Sequence, residues 1–301
     1  MTSLIQKVIH FGFDITGRLA PETAGRVAFR LFCTTPSRKP ASKKARLALE
    51  QAGPAMAGAT KLMLPIHGGR VATWYFPANG AANSETVLIT HGWGARTEHM
   101  LDIVKSLQKA GKAVVALDLP GHGASSGRTL NMALAVEAVD AAWRQYGPFS
   151  MMLGHSFGGA VVLNAAVGSV AGIKPNRPDR IVLISAPNAI PAVFEWFAGM
   201  LGLRPKSRRA LFERVEQVTG RPLESFMGTV QLAALKKPAL IIHAREDREV
   251  TVDHAEGFMT AGRHVEVLWA DGYGHRRILK APEVVQAVTE FADGSEHAKA
   301  A

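Results

Sequence analysis

The sequence predicts an α/β protein with a mostly parallel sheet covered by helices on both faces. Short apolar runs alternate with helical patterns between residues 61 and 292, which is typical of strands buried on both sides. The chain of 301 residues is long enough for one large domain with a sizeable core. Its composition, 47% hydrophobic and 20% charged, is that of a soluble globular protein.

Residues 1–60 are predicted to form a basic, amphipathic helical extension. Apolar residues such as Leu4 and Val8 recur at helical spacing, and the segment carries nine Lys or Arg against three Asp or Glu. We interpret its stretch TPSRKPASKKAR as a solvated linker. Weak contact of residues 1–46 with an anionic membrane is the alternative.

Eight strand-like runs follow, and the first two flank a His-Gly-Gly hairpin signal. They are KLMLPI (61–66), RVATWYF (70–76), TVLIT (86–90), KAVVALD (112–118), FSMMLG (149–154), RIVLIS (180–185), ALIIHA (239–244) and VEVLWA (265–270). Helical patterns lie near 97–109, 130–146, from 157 onwards, and near 253–261 and 282–292.

The spacing of these runs divides the chain. Residues 61–186 and 237–292 are expected to form the α/β core. Residues 187–236 contain no strand-like run, and a structureless loop of that length is uncommon, so they predict a small helical cap inserted after the sixth strand. Residues 293–301 form a polar tail.

Composition and motifs exclude several classes of protein. The single cysteine, Cys33, excludes a disulfide framework and a Cys-rich zinc site. No HExxH, His/carboxylate cluster or G-x-G-x-x-G pattern is present, so no metal and no cofactor are expected. The formal charge of +10 is interpreted as a solvated basic surface, with no nucleic-acid partner. Without an export signal or a membrane-spanning apolar run, the expected compartment is the cytoplasm, and the oligomeric state stays open.

The strongest motif is GHSFGG at residues 154–159, where a predicted strand meets a predicted helix. A serine between glycines at such a turn can adopt a strained backbone with its hydroxyl exposed. The helix that begins there directs its positive end at the hydroxyl. Ser156 is therefore the candidate nucleophile.

A second motif, HGWG at residues 91–94, directly follows the strand TVLIT. Glycines at the carboxyl end of a parallel strand free backbone N–H groups to face a ligand. We expect the N–H groups of Trp93 and Phe157 to form an oxyanion hole. His91 is interpreted as a brace for the loop.

Two further strands end near residues that could complete a catalytic triad. Asp247 follows ALIIHA and is the preferred acid, with Glu246 and Glu249 as replacements. Asp118, in DLPGHGASSG, is interpreted as a turn organiser. His275, in DGYGH after VEVLWA, is the candidate base. The carboxyl ends of parallel strands share one edge of a sheet, so these side chains can converge on the serine.

With these motifs the chain resembles the α/β-hydrolase fold superfamily, in its serine-nucleophile, esterase-like branch. The resemblance covers roughly residues 61–292 and implies an eight-stranded, mostly parallel sheet with a cap after the sixth strand. The HG-x form at residues 91–93 departs from the HGGG stretch of the hormone-sensitive-lipase branch. Serine rather than aspartate at position 156 argues against haloalkane dehalogenase and epoxide hydrolase chemistry.

The expected function is a serine hydrolase that cleaves a small-molecule acyl ester through an acyl-enzyme, like a carboxylesterase. The same triad also serves carbon–carbon bond, thioester, acyl-transfer and perhydrolase chemistry. From another class, a non-catalytic module that binds a membrane surface or a protein stays an alternative. Four apolar cap residues are expected either to line an acyl pocket or to form the cap's own core: Phe194, Trp196, Phe197 and Met200.

Overall fold

The computed structural model of the protein describes residues 4–40, 42–80 and 84–294, so residues 295–301 of the predicted polar tail lie outside it. Eight strands form one sheet in the order β1-β2-β4-β3-β5-β6-β7-β8. The strands are β1 (Thr60–Ile66), β2 (Gly69–Phe76), β3 (Thr86–Thr90), β4 (Ala113–Leu117), β5 (Met151–His155), β6 (Arg180–Ile184), β7 (Ala239–His243) and β8 (Val265–Trp269).

The direction of the strands confirms a mostly parallel sheet. Strands β3 to β8 run parallel to one another. Strand β2 is antiparallel to both β1 and β4. The β1–β2 hairpin pairs Ile66 with Gly69, which places the turn at the predicted His-Gly signal. The α/β class, the strand number and the helices on both faces agree with the sequence prediction.

Helices surround the sheet and also fill the interval between β6 and β7. They are α1 (Leu4–Leu19), α2 (Pro21–Cys33), α3 (Lys43–Ala57), α4 (Leu101–Lys109), α5 (Met132–Tyr146), α6 (Phe157–Val167), α7 (Ile190–Met200), α8 (Pro205–Thr219), α9 (Gly228–Leu235), α10 (Val252–Met259), α11 (Gly274–Arg277) and α12 (Pro282–Ala292).

The apolar runs of the strands supply two separate cores, one on each face of the sheet. Successive strand residues point to opposite faces. In β3, for example, Leu88 belongs to the core beneath α5 and α6, whereas Val87 and Ile89 belong to the core beneath α4 and α12. Continuous apolar runs are therefore required in the central strands, which explains why the sequence shows no polar alternation there.

The N-terminal helices pack on the helices that follow β6. Helix α2 crosses α8 at Gly25, where a Cβ atom would lie 2.6 Å from the Cβ of Ala210. Only glycine permits this close approach. Helix α1 in turn packs on α2. Among the described residues, none of the helices combines the length and the apolar character needed to cross a membrane.

The solvated linker predicted for TPSRKPASKKAR is wrong for its first residues. Thr35 is buried, and its N–H donates to the carbonyl of Arg128 at 3.0 Å. The Arg38 guanidinium donates to the carbonyl of Ser125. Between α2 and α3 the chain therefore lies against the loop that follows β4. Hydrogen bonds to that loop hold it there, although its composition is polar.

Candidate active site

Ser156 lies in the sharp turn between β5 and α6. Its φ of 53° and ψ of −129° are unusual for a residue with a side chain and cost of order 1–3 kcal/mol. The turn is compact: a Cβ on Gly154 would lie 2.2 Å from the carbonyl oxygen of Gly158. The Ser156 N–H donates to the carbonyl of Ile184 on the neighbouring strand at 2.8 Å. These contacts hold the strained conformation in place.

The structure brings the three predicted triad residues together. Ser156 Oγ lies 3.0 Å from His275 Nε2, and His275 Nδ1 lies 2.8 Å from Asp247 Oδ2. The carboxylate can only accept, so Nδ1 carries the proton and Nε2 is free to accept from the serine hydroxyl. This is the tautomer that a general base needs.

Asp247 is held as an anion by its hydrogen bonds. Its Oδ1 accepts from the N–H groups of Glu249 at 2.9 Å and Val250 at 3.0 Å. Burial alone would raise the pKa of Asp247. The hydrogen bonds from His275 and the two amides outweigh that effect and lower the pKa to about 2. The carboxylate therefore stays charged and orients the imidazole.

The loop after β3 lies directly against the nucleophile. A Cβ on Gly92 would be 2.7 Å from the Ser156 Cβ. The N–H of Gly94 already donates to His122 Nε2, and that of Ala95 to the Gly92 carbonyl. Phe157 is the first residue of α6, where an N–H has no acceptor within the helix. The N–H groups of Trp93, in this loop, and of Phe157 therefore stay the predicted oxyanion donors.

An apolar pocket of about 420 Å³ opens beside Ser156. All four predicted pocket residues line it: Phe194, Trp196, Phe197 and Met200. Another part of the wall, however, belongs to α2, with Phe29, Phe32 and Cys33 among its residues. The Phe32 ring lies 4.4 Å from that of Phe194 and 5.0 Å from that of Phe197, measured between ring centroids. The sequence placed α2 in an extension away from the chemistry and so missed this wall.

The sequence pattern of the alpha/beta hydrolase family matches residues 87–288 of the chain, a range that includes Ser156, Asp247 and His275. The chain belongs to the alpha/beta hydrolase family. This hydrolase is 29% identical over 226 residues to the dihydrolipoyllysine-residue acetyltransferase component of the acetoin cleaving system of Pseudomonas putida. The match covers 71% of this chain and 52% of that protein, so the chain spans about half the length of this relative.

Solved esterase structures share the fold of this hydrolase. The Pyrococcus furiosus esterase Pf2001 superimposes with a TM-score of 0.61 at 20% identity, over 87% of this chain and 99% of the other. Est1E from Butyrivibrio proteoclasticus also gives a TM-score of 0.61, at 19% identity, over 78% of this chain and 98% of the other. At these identities the likeness concerns the fold alone.

Two further side chains of the hydrolase hold the loop that carries His275. The sequence did not indicate this role for either of them. Glu246 Oε1 accepts from the N–H groups of Gly272 at 2.7 Å and Gly274 at 2.9 Å. His155 Nε2 donates to the carbonyl of His275 at 2.8 Å. Burial lowers the pKa of His155 to about 3, so its ring stays neutral. The only sequence signal for this role of His155 was its position directly before Ser156.

The other polar residues near the site are structural, as the sequence suggested. His91 Nδ1 donates to the Gly92 carbonyl, and its Nε2 accepts from the N–H of Leu119. Burial lowers the pKa of His91 to about 4, which keeps it neutral. Asp118 accepts from the N–H of Thr97 and of Ala124, both at 2.9 Å, and organises the turn. In the part of the chain that the structure describes, no three His, Cys, Asp or Glu side chains are grouped to hold a metal ion.

Three arginines in the segment between β6 and β7 form ion pairs within the chain. Arg204 contacts Asp14 at 2.8 Å, Arg208 contacts Glu195 at 3.0 Å, and Arg209 contacts Glu213 at 3.1 Å. All three pairs are partly exposed, so each contributes little to stability. With their charges matched in this way, these arginines are poorly suited to select an anionic substrate.

Proposed function

We propose that this alpha/beta hydrolase is a serine esterase for esters with an apolar acyl group. The observation that carries the proposal is the line of hydrogen bonds from the Ser156 hydroxyl through His275 to Asp247. A serine whose proton can pass to a neutral, oriented imidazole is an activated nucleophile. The oxyanion amides and the pocket beside it supply the other two requirements of acyl transfer.

The chemistry follows from the positions of these groups. Ser156 Oγ attacks the acyl carbonyl carbon while its proton moves to His275 Nε2. The oxyanion accepts hydrogen bonds from the Trp93 and Phe157 amides. As the ester C–O bond breaks, the imidazolium returns its proton to the alkoxide, and the alcohol leaves. Water repeats the sequence on the acyl-enzyme, which releases the acid and restores the serine.

The pocket indicates the acyl group. Its lining consists largely of aromatic and aliphatic side chains from α2 and α7, so an alkyl chain loses contact with water there. Cys33, on the α2 wall, adds no reactive group, because burial raises the pKa of its thiol to about 12. A volume of about 420 Å³ favours acyl chains longer than acetyl.

A second candidate is transfer of an acyl group to a thiol. It is favoured by the similarity to the acetyltransferase component of the acetoin cleaving system. The acyl-enzyme would be the same, and a thiol would replace water in its second half. Adding dihydrolipoamide to an ester assay separates the two functions, since transfer accumulates an acyl thioester whereas hydrolysis releases the free acid.

The proposal is tested with Ser156→Ala and a matched control. Ser225→Ala removes an exposed hydroxyl from the cap. We expect Ser156→Ala to lose p-nitrophenyl ester turnover by about 10⁶-fold, as for removal of a triad serine, and to lose labelling by a fluorophosphonate probe. Ser225→Ala should retain both. Undiminished hydrolysis by pure Ser156→Ala protein would reject the nucleophile, and an unlabelled wild type would favour a non-catalytic binding module.

A further inference from the structure

Helix α1 has two faces, and only one of them is packed. The packed face contacts the cap: His10 Nε2 donates to the carbonyl of Met200, Asp14 accepts from Arg204 at 2.8 Å, and Gly17 lies against Ser207. The opposite face carries four large apolar side chains at helical spacing, all exposed: Val8, Phe11, Ile15 and Leu19. We call these four residues the α1 face.

The exposure on the α1 face is large for apolar side chains. Phe11 is 68% exposed and Leu19 is 81% exposed. Of the thirteen large apolar side chains that are exposed in the described part of the chain, nine lie on α1, α2 and α7. Apolar exposure concentrated in one area marks an interaction surface, whereas scattered exposure does not.

The α1 face adjoins the mouth of the acyl pocket. Helix α1 contacts Met200, which lines the pocket and is itself exposed. Trp196, one turn earlier on α7, lines the pocket and is 67% exposed. On the other wall, Leu31 of α2 is both exposed and pocket-lining. A surface that covered α1 would therefore lie next to the pocket mouth.

Charge identifies the partner. The two segments that build this region, 4–33 and 190–219, carry nine Lys or Arg against five Asp or Glu. Five of the nine are in ion pairs, and the other four form none among the described residues: Lys7, Arg30, Lys206 and Arg214. A second copy of the chain would bring the same positive excess and would be repelled. An anionic bilayer offers negative headgroups to the basic side chains and an apolar interior to the α1 face.

We propose that the α1 face docks this hydrolase on an anionic lipid bilayer, with the mouth of the acyl pocket against the membrane. Helix α1 then lies in the plane of the interface, its apolar side chains among the upper acyl segments of the lipids. Docking itself is independent of catalysis. That the docked enzyme draws a lipid ester from the bilayer rests on the proposed esterase function.

Removing residues 1–45 would not test this proposal. Helix α2 provides one wall of the pocket, and its Ala24 and Ala28 are fully buried, so a truncated chain would lose the pocket together with α1. Substitutions on the α1 face avoid this problem. The double variant Phe11→Ser and Leu19→Ser changes two exposed side chains that do not line the pocket.

The experiment measures co-sedimentation of the full chain with vesicles of phosphatidylcholine containing about one third phosphatidylserine. Wild type should bind, and salt should weaken the binding. The two substitutions remove apolar side chains from the interface, so the double variant should bind at least about tenfold more weakly. The control Leu47→Ser with Val230→Ser removes exposed apolar side chains from α3 and α9 and should bind like wild type.

Three results would overturn the proposal. They are equal binding by the double variant, equal binding to pure phosphatidylcholine, and a wild-type dimer in sedimentation velocity that the double variant abolishes. Hydrolysis of a soluble p-nitrophenyl ester, measured in parallel, should be the same for wild type and both double variants. Loss of this hydrolysis in Ser156→Ala tests the esterase function alone. The esterase proposal and the docking proposal can therefore fail separately.

Discussion

The edge of the sheet that carries Ser156, Asp247 and His275, here called the edge, meets the walls of the apolar pocket at Ser156. The two regions are built in different ways. At the edge, each functional side chain follows the end of a parallel strand, so the sheet itself brings together groups that are far apart in sequence. The walls come from α2 and α7, whose aromatic side chains contact each other, and α2 is held in place by packing on α8 and not by sheet hydrogen bonds. The difference teaches that short local motifs place the proposed catalytic residues, whereas the lining of the pocket depends on contacts between segments that are distant in sequence.

The largest expected effect concerns the edge and discriminates between its two carboxylates. Asp247→Asn should lower kcat by about 10⁴-fold, because an amide favours the wrong tautomer of His275. Glu249→Gln is the matched control, since its carboxylate lies 3.9 Å from Nε2, the nitrogen that faces the serine. It should lower kcat by less than about tenfold. A larger loss in Glu249→Gln than in Asp247→Asn, measured by steady-state kinetics, would make Glu249 the acid.

The second prediction concerns the stability of the edge in acid. The folded-state pKa values of His91 and His155, about 4 and about 3, lie below the ordinary value of about 6.5. At a pH between the folded-state pKa and the ordinary pKa, these imidazoles are protonated in the unfolded chain but neutral in the folded chain. The free energy of unfolding should therefore fall as pH decreases below about 6.5, by about 1.4 kcal/mol per pH unit for each group.

Urea unfolding measured at several pH values tests this prediction. In His155→Gln the dependence on pH should weaken by about one proton per molecule. His67→Gln replaces an exposed imidazole in the β1–β2 turn and should keep the wild-type slope. An unchanged slope in His155→Gln would mean that residue 155 does not stay neutral in the folded protein.

The third prediction concerns how the walls are held together. Alanine normally stabilises a helix over glycine by about 0.5–1 kcal/mol. Gly12→Ala, in open space on α1, should show that gain. Gly25→Ala should instead lower the free energy of unfolding by about 1–2 kcal/mol, because its Cβ would meet Ala210 and the backbone of Leu211. Urea unfolding that shifts in the same direction for both variants would contradict the close α2–α8 contact.

The smallest expected effect concerns substrate selectivity. Phe32→Ala should reduce kcat/KM for p-nitrophenyl octanoate by about tenfold and change that for the acetate little, because the octanoyl chain has far more apolar surface to bury against the pocket lining. Phe212→Ala, on a partly buried residue of α8 that does not line the pocket, is the control. A parallel loss on both esters would show that Phe32 supports the fold and does not select the acyl chain.

The sequence predicts the edge well because its signals are local. Apolar runs mark buried strands, and the glycines around Ser156 mark a turn that few residues can form. The walls were not predictable in this way. Helical periodicity shows that one side of α2 is buried, but it does not show that Gly25 meets Ala210 or that Phe32 meets Phe194. The burial of Thr35 was not predictable for the same reason, because its hydrogen-bond partner, the Arg128 carbonyl, lies on another loop.

The contact between α2 and α8 also imposes an order on synthesis. Helix α2 ends at Cys33 and α8 begins at Pro205, so the first leaves the ribosome long before its partner exists. At translation rates of about 5–20 residues per second, that interval is roughly 10–35 s. During it, the face of α2 that contacts α8, with Phe29 and Gly25, lacks its partner. The nascent chain therefore carries an uncovered apolar segment that a ribosome-associated chaperone could bind.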